Sequence, residues 1–338
     1  MRALKLSGAK QLELVQTDKP RPSSGKILIQ VERCGICGSD LHIWKNGIPA
    51  GLIMGHEFAG TVADPGEAKD IFKVGDRVTA MPVNPCGKCP SCKELQFHKC
   101  LNLLADAPGI TTAGAYAQYL TITAEVVRKI PPGMSMEEAA MVEPSAVALH
   151  AVNIADIAAD DKILIVGGGI IGLLCAAWAK IFGAAYIGLS ETNAQRGRKA
   201  LGFGDVDEVF DAGDPKLQKK LLTITGGGFD KVIECAGPAP AVKSAVGAAA
   251  SGSIVVLAGI NYNEVPVSTM RIAMKELQLK GSYGYNENEF DMAIDYMTRG
   301  VLKTSRLVDD VIALEGVQSA FIRLTDPAGD AVKIMMKP

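Results

Sequence analysis

Between Lys162 and Lys180 the chain carries no charge: residues 163–179 read ILIVGGGIIGLLCAAWA. A run this apolar must be buried, but it falls short of the ~20 residues that a membrane helix needs, and three consecutive glycines interrupt it. The apolar stretch before the glycines predicts a buried strand. The stretch after them predicts a buried helix, so the run is a strand, a tight turn and a helix. Gly167, Gly169 and Gly172 match G-x-G-x-x-G at that junction. The first glycine permits the turn, the second lets backbone approach a pyrophosphate, and the third lets helix pack on strand. Ile170 and Ile171 then open the helix whose N-terminal amides face the phosphates.

The pattern repeats downstream. AAYIGLSE, DEVFD, KVIECAG and SIVVLAGI alternate with helical stretches, which predicts an α/β fold with a doubly wound parallel sheet. Glu191 ends the second strand 19 residues after Gly172, where a carboxylate can bind the ribose hydroxyls of a dinucleotide. The plainer reading is a surface glutamate at a strand end. A carboxylate there repels a 2′-phosphate, which favours NAD over NADP; Arg196, five residues on, could instead reach a phosphate. Gly259, in VVLAG, completes the candidate cofactor-binding set.

The 338 residues exceed one comfortable core, so two domains are expected. Up to about residue 145 the texture is short strands broken by Gly and Pro: KILIQVERC, EFAGTVADPG, KVGDRVTAMPV and YAQYLTIT, a β-rich, barrel-like lobe. Ser135 and Glu138 form a capping-box pair at the start of a helix. After about residue 285 the helical FDMAIDYMTRG and a strand-rich tail return to this first lobe.

Eight cysteines in a chain whose N-terminus lacks an apolar secretion segment point to metal or core roles in a reducing cytoplasmic setting. Cys86, Cys89, Cys92 and Cys100 follow C-x2-C-x2-C-x7-C on a loop with Gly and Pro. Four thiolates so spaced can close around a structural zinc with no position left for substrate; an iron–sulfur cluster and two disulfides are the other readings. His98, inside that loop, is expected to be exposed. Residues 33–44, RCGICGSDLHIW, concentrate Cys34, Cys37, Ser39, Asp40 and His42, while GHE and VEP supply His56, Glu57 and Glu143. Trp44 is a candidate for the wall of a substrate cleft. Cys175 and Cys235 read as core.

These stretches together, CGICGSDLH, GHEFAG, VGDRV, the four-cysteine loop, GGGIIG and VVLAG, resemble the zinc-containing alcohol dehydrogenases of the medium-chain dehydrogenase/reductase superfamily over essentially the whole chain. The resemblance implies a GroES-like catalytic domain over residues 1–148 and 286–338, holding both zinc sites, and a Rossmann NAD-binding domain over 149–285. It implies two zinc ions per chain, one catalytic and one structural. Cys37 and His56 would bind the catalytic zinc, with Glu143 as the preferred third ligand and Glu57 as a neighbour that exchanges in. Glu143, where simple alcohol dehydrogenases often carry Cys, resembles the polyol-oxidising branch. Ser39 would accept the alcohol proton, His42 would pass it on, and Asp40 would orient His56. Cys34 would be a buried small residue. Relatives are dimers or tetramers, so a homo-oligomer is expected.

Lys and Arg total 35 against 37 acidic residues, a net charge of −2 with no basic run. Nucleic acid and anionic membrane are therefore poor partners. The expected partner is a small alcohol, polyol or sugar derivative. The competing class is a non-catalytic relative that keeps fold and cofactor, but such a copy has no physical need for an open metal site.

Overall fold

The computed structural model describes residues 1–338. In the N-terminal part, β1 (Arg2–Gly8) and β2 (Gln11–Gln16) form an antiparallel hairpin. They are followed by β3 (Lys26–Gly35), β4 (Glu57–Asp64), β5 (Arg77–Ala80), β6 (Tyr119–Thr123) and β7 (Val127–Lys129). The Ser135 capping box forms: its hydroxyl accepts from the Glu138 amide at 3.1 Å, and the Glu138 carboxylate accepts from the Ser135 amide at 2.9 Å.

The middle of the chain supplies β8 (Lys162–Val166), β9 (Tyr186–Glu191), β10 (Glu208–Asp211), β11 (Phe229–Glu234), β12 (Ala249–Leu257) and β13 (Gln278–Gly281). All pair in parallel, in the order β10-β9-β8-β11-β12-β13. The order reverses between β8 and β11, which makes this the doubly wound sheet of two mononucleotide-binding halves. Leu164, Val232 and Val255 from the strands pack with Leu221 and Val246 from the helices over 217–225 and 239–248. The helix after the glycines spans Ile170–Ile181, and its Cys175, Trp178 and Ala179 are buried, as an apolar helix between layers requires. Gly172 cannot be replaced there, because a Cβ would lie 1.9 Å from the Gly167 carbonyl oxygen. No helix is long and apolar enough to cross a membrane.

The tail adds β14 (Asp310–Ala313) and β15 (Ile334–Lys337) to the first sheet, ordered β14-β15-β3-β4-β5-β7 with β6 on β3. β15 runs antiparallel to β3, with Met335 opposite Gly35 and Met336 opposite Cys34.

The compact units are 1–143, 285–326 and 333–338 against 144–284 and 327–332. Three parts of the chain fall outside the domain expected for them: Tyr285 joins the first unit, and two stretches leave it. Residues 144–148 join the nucleotide unit, where the Trp178 indole donates to the Ser145 carbonyl at 2.9 Å. Residues 327–332 join it because the Asn193 side-chain amide donates to the carbonyls of Pro327 and Gly329 at 2.8 and 2.7 Å.

Candidate active site

The four-cysteine loop brings Cys86, Cys89, Cys92 and Cys100 together, all sulfurs lying within 4.8 Å of one another. The Cys86 and Cys92 sulfurs are 3.9 Å apart, near the ~3.8 Å that a tetrahedral ion with ~2.3 Å Zn–S bonds imposes. Backbone N–H groups of Leu101 and Cys92 lower the Cys89 thiol to about 6, whereas burial raises Cys92 to about 12. The set is closed and all-thiol, which suits a structural zinc. His98 is only 9% exposed, contrary to the expectation of a solvated ring.

A second donor group gathers Cys37, His56 and Glu57, again with their donor atoms within 4.8 Å. Three local causes build it. Cys37 precedes the helix Gly38–Asn46, and its amide donates to Asp40 Oδ2 at 3.0 Å, so the helix start and the thiol direction are set together. Asp40 Oδ1 lies 3.5 Å from His56 Nδ1, leaving Nε2 of that ring toward the donor group, with Ser39 Oγ at 3.4 Å. Asp40 also accepts from the Tyr116 hydroxyl at 2.8 Å. Burial opposes charge on both partners, yet their mutual attraction wins: the Asp40 carboxyl is lowered and the His56 ring raised well above its usual value.

Glu57 opens β4, directly opposite Gly35 on β3. Its Oε2 accepts from the Lys333 ammonium, and both side chains are fully buried. Lys333 also donates to the Ile36 carbonyl at 3.1 Å. The pair lies over Gly35, where a Cβ would come 2.8 Å from Lys333 Cε; the glycine of CGICG is required by what passes above it. Glu57 Oε1 is buried with no hydrogen-bond partner.

Glu143 was the preferred third ligand, but it is not in this compact donor group. It sits near the start of the helix Val142–Ala155, whereas Glu57 follows His56 directly into a strand. Burial first, then the charge of Glu57, push the Glu143 carboxyl up to about 7 against the pull of His56 and Lys333. Tyr285 stands beside it. His42 is exposed on the same helix as Ser39, and partial burial and Lys45 lower its ring. Cys34 is buried in the core and outside the donor group. Trp44 does not line a cleft: it is 3% exposed and packs edge-on against Phe321 at 5.4 Å between centroids.

In the nucleotide unit, Gly167 adopts the left-handed region at φ +107°. The Glu191 carboxylate accepts from the Gly168 amide at 2.7 Å and the Asn193 amide at 2.8 Å, which ties the glycine turn to the end of β9. Arg196 Nε is buried without a partner. Ile170 is buried, and Ile171 half-buried, in the first turn of the helix. Gly259 is packed against Gly237 and Glu234, with no room for a side chain.

Residues 23–132 match the alcohol dehydrogenase GroES-like domain and residues 171–299 the zinc-binding dehydrogenase domain. The chain is 32% identical to the sorbitol dehydrogenase of Bacillus subtilis, covering 100% of this chain and 97% of that protein. This chain belongs to the zinc-binding dehydrogenases. It is also 34% identical to the 2-dehydro-3-deoxy-L-galactonate 5-dehydrogenase of Pseudoalteromonas atlantica, over 96% of this chain and 95% of the relative. A zinc-binding dehydrogenase from Sinorhizobium meliloti, solved with NADP, superposes with a TM-score of 0.89 at 30% identity over 100% and 99% of the two chains.

Sequence reasoning missed Lys333, Tyr116, Tyr285 and Glu234 in this dehydrogenase. For two of them a signal existed. Lys333 in AVKIMM and Glu234 in KVIECAG are single charges inside apolar strand-like runs, which a buried strand tolerates only for a partner.

Breaking the Glu57–Lys333 pair from one side strands a buried charge. Lys333→Met should therefore destabilise the protein by about 3–5 kcal/mol, and adding Glu57→Gln should recover much of that loss. Urea unfolding of the single and double variants checks this. An unchanged midpoint in Lys333→Met would show that the two groups are not paired in solution.

Proposed function

We propose that this dehydrogenase moves a hydride between NAD and a secondary alcohol of a polyol or sugar derivative, interconverting alcohol and ketone. The observation that carries the reading is the three-donor set Cys37, His56 and Glu57, in a chain that also has a glycine turn tied to Glu191. When bound, a three-ligand zinc makes an alcohol oxygen more acidic, and the nicotinamide ring accepts hydride. Sorbitol dehydrogenase among the relatives supports the polyol class.

The protein's own groups have distinct tasks. Cys37 and His56 would hold the catalytic metal, with Asp40 keeping the His56 ring in the tautomer that leaves Nε2 available. Glu57, through its unpartnered Oε1, is the better third donor in this geometry, and Glu143 the buried carboxylate held in reserve. The Ser39 hydroxyl would take the alcohol proton and the exposed His42 would release it. Cys86, Cys89, Cys92 and Cys100 would hold a second, structural zinc. Gly167, Gly169, Ile170, Ile171, Gly172 and Gly259 would shape the dinucleotide site, with Glu191 selecting NAD and Arg196 near the ribose. Eight unbridged cysteines suit a reducing compartment such as the cytoplasm.

A homodimer or tetramer fits the open edge of β13, since β13 pairs only with β12. Next to it in sequence, Met270 and Met274 are 70% and 77% exposed. Light scattering in solution checks this, and a monomer mass would remove it.

The functional test is a panel of secondary alcohols, polyols and sugar derivatives followed by NADH absorbance. Wild type should oxidise at least one polyol with NAD preferred over NADP, Cys37→Ser should be inactive, and Glu191→Ala should narrow the coenzyme preference. Equal kcat/KM for the two coenzymes in wild type would remove Glu191 from the ribose. No turnover of any panel member would leave the non-catalytic reading standing.

The third ligand is tested by zinc retention under mild chelation. Glu57→Ala should lose zinc and turnover, at least as severely as the ~10–100-fold typical of supporting residues. Glu143→Ala should keep more of both. The reverse order would make Glu143 the ligand.

A further inference from the structure

Glu234, the last residue of β11, is a carboxylate with 0% exposure in the nucleotide unit. One of its oxygens accepts from the amides of Ala236 at 2.8 Å and Gly237 at 2.6 Å. Its main-chain carbonyl accepts from the amides of Ala258 at 2.8 Å and Gly259 at 2.9 Å, in the loop after β12. The other carboxylate oxygen is buried, with no hydrogen-bond partner, and lies 2.6 Å from where a Gly259 Cβ would be. The same two loops are tied again by the Asn261 side-chain amide, which donates to the Gly237 carbonyl at 3.0 Å. Ala236 in turn packs on Gly167, whose Cβ would meet it at 3.0 Å. Glu234 thus meets both loops: its side chain binds the loop after β11 and packs its other oxygen against Gly259, and its main-chain carbonyl binds the loop after β12, beside the glycine turn after β8, at the carboxyl end of the parallel sheet where such folds bind ligands.

The glycine fingerprint and Glu191 belong to the first mononucleotide-binding half, β8-β9-β10, which takes the adenosine side of a dinucleotide. The second half, β11-β12-β13, is left for the nicotinamide nucleotide. We infer that Glu234 is a positioning residue for the nicotinamide half of the coenzyme, fixing the spacing of the loops after β11 and β12. The inference rests on the coenzyme reading given above. Only an acceptor suits the position, because the neighbouring groups on the carboxylate are backbone N–H donors. A glutamine can keep its oxygen on the Ala236 and Gly237 amides only by placing its NH2 group where the unpartnered oxygen packs against Gly259, and an aspartate would fall a methylene short.

Calorimetry with NADH and with AMP, which carries only the adenosine half, separates positioning from general loosening. Glu234→Gln should bind NADH about 10-fold more weakly while AMP affinity stays within about 2-fold. In the ligand-free protein, amide exchange over 234–261 should quicken while that of β8 and β9 is unchanged. Should Glu234→Gln fail to fold, Asn261→Ala, at an exposed position, should show the same split on a smaller scale. Equal weakening of NADH and AMP, or unchanged NADH binding with unchanged exchange, would overturn the role of Glu234. A wild type that binds AMP but not NADH would instead overturn the coenzyme reading itself.

Discussion

Asp40 is the group on which the placement of Cys37 and His56 depends. One carboxylate oxygen accepts from the Cys37 amide and the Tyr116 hydroxyl, and the other lies 3.5 Å from the His56 ring. Burying an ion costs several kcal/mol unless its lone pairs are met, and here one oxygen is met twice while the other faces the His56 ring. Each contact has a consequence for the donors. The Cys37 amide starts the helix and aims the thiol. The His56 contact fixes the tautomer, so Nε2 faces the site without needing a metal to orient it. Tyr116 anchors the carboxylate from the side opposite to the helix start in sequence, 76 residues away. The donor geometry is therefore preorganised by hydrogen bonds that do not involve substrate.

The second constraint is topological. β15 has only four residues, yet its pairing with β3 carries Lys333 across almost the full length of the chain to Glu57. A buried ion pair is weak evidence of stabilisation, because desolvation cancels much of the attraction. What it supplies is direction: Lys333 holds one Glu57 oxygen and leaves the other free. Gly35 completes the arrangement by having no side chain under the pair. The tail thus reaches the Cys37–His56–Glu57 donor group through Lys333.

Much of this was legible in the residues. The strand–turn–helix at 162–181, the parallel alternation after it and the four-cysteine loop each follow from local pattern, and local pattern is what sequence displays. Asp40 beside His56 came from the family resemblance, since the two lie in separate stretches of sequence. The burial of Trp44 and His98 was not legible: Trp44 packs on Phe321, far away in sequence, and the standing of Glu57 beside Glu143 involves Lys333, farther still. Spacing along the chain does not report such neighbours. The transfer of 327–332 to the nucleotide unit has the same origin, since Asn193 caps its helix with one end of its amide and holds that segment with the other.

The charges around the donor group explain why a carboxylate can serve there at all. A thiolate and a carboxylate together would neutralise a divalent ion and weaken its hold on an alcohol oxygen, because acidification of that oxygen depends on the positive charge left over. Lys333 places a cation against Glu57 and offsets its charge from behind. Burial pushes the Glu143 carboxyl up to about 7, which reduces the negative charge it carries near neutrality. Asp40 is ionised, but His56 stands between it and the other donors, where its effect is to make the imidazole a stronger donor. With a buried lysine behind it, Glu57 would be closer in charge to a neutral donor than its formula suggests. It retains the hardness and oxygen donor of Glu, which suits exchange at a site where hydroxyl groups must come and go.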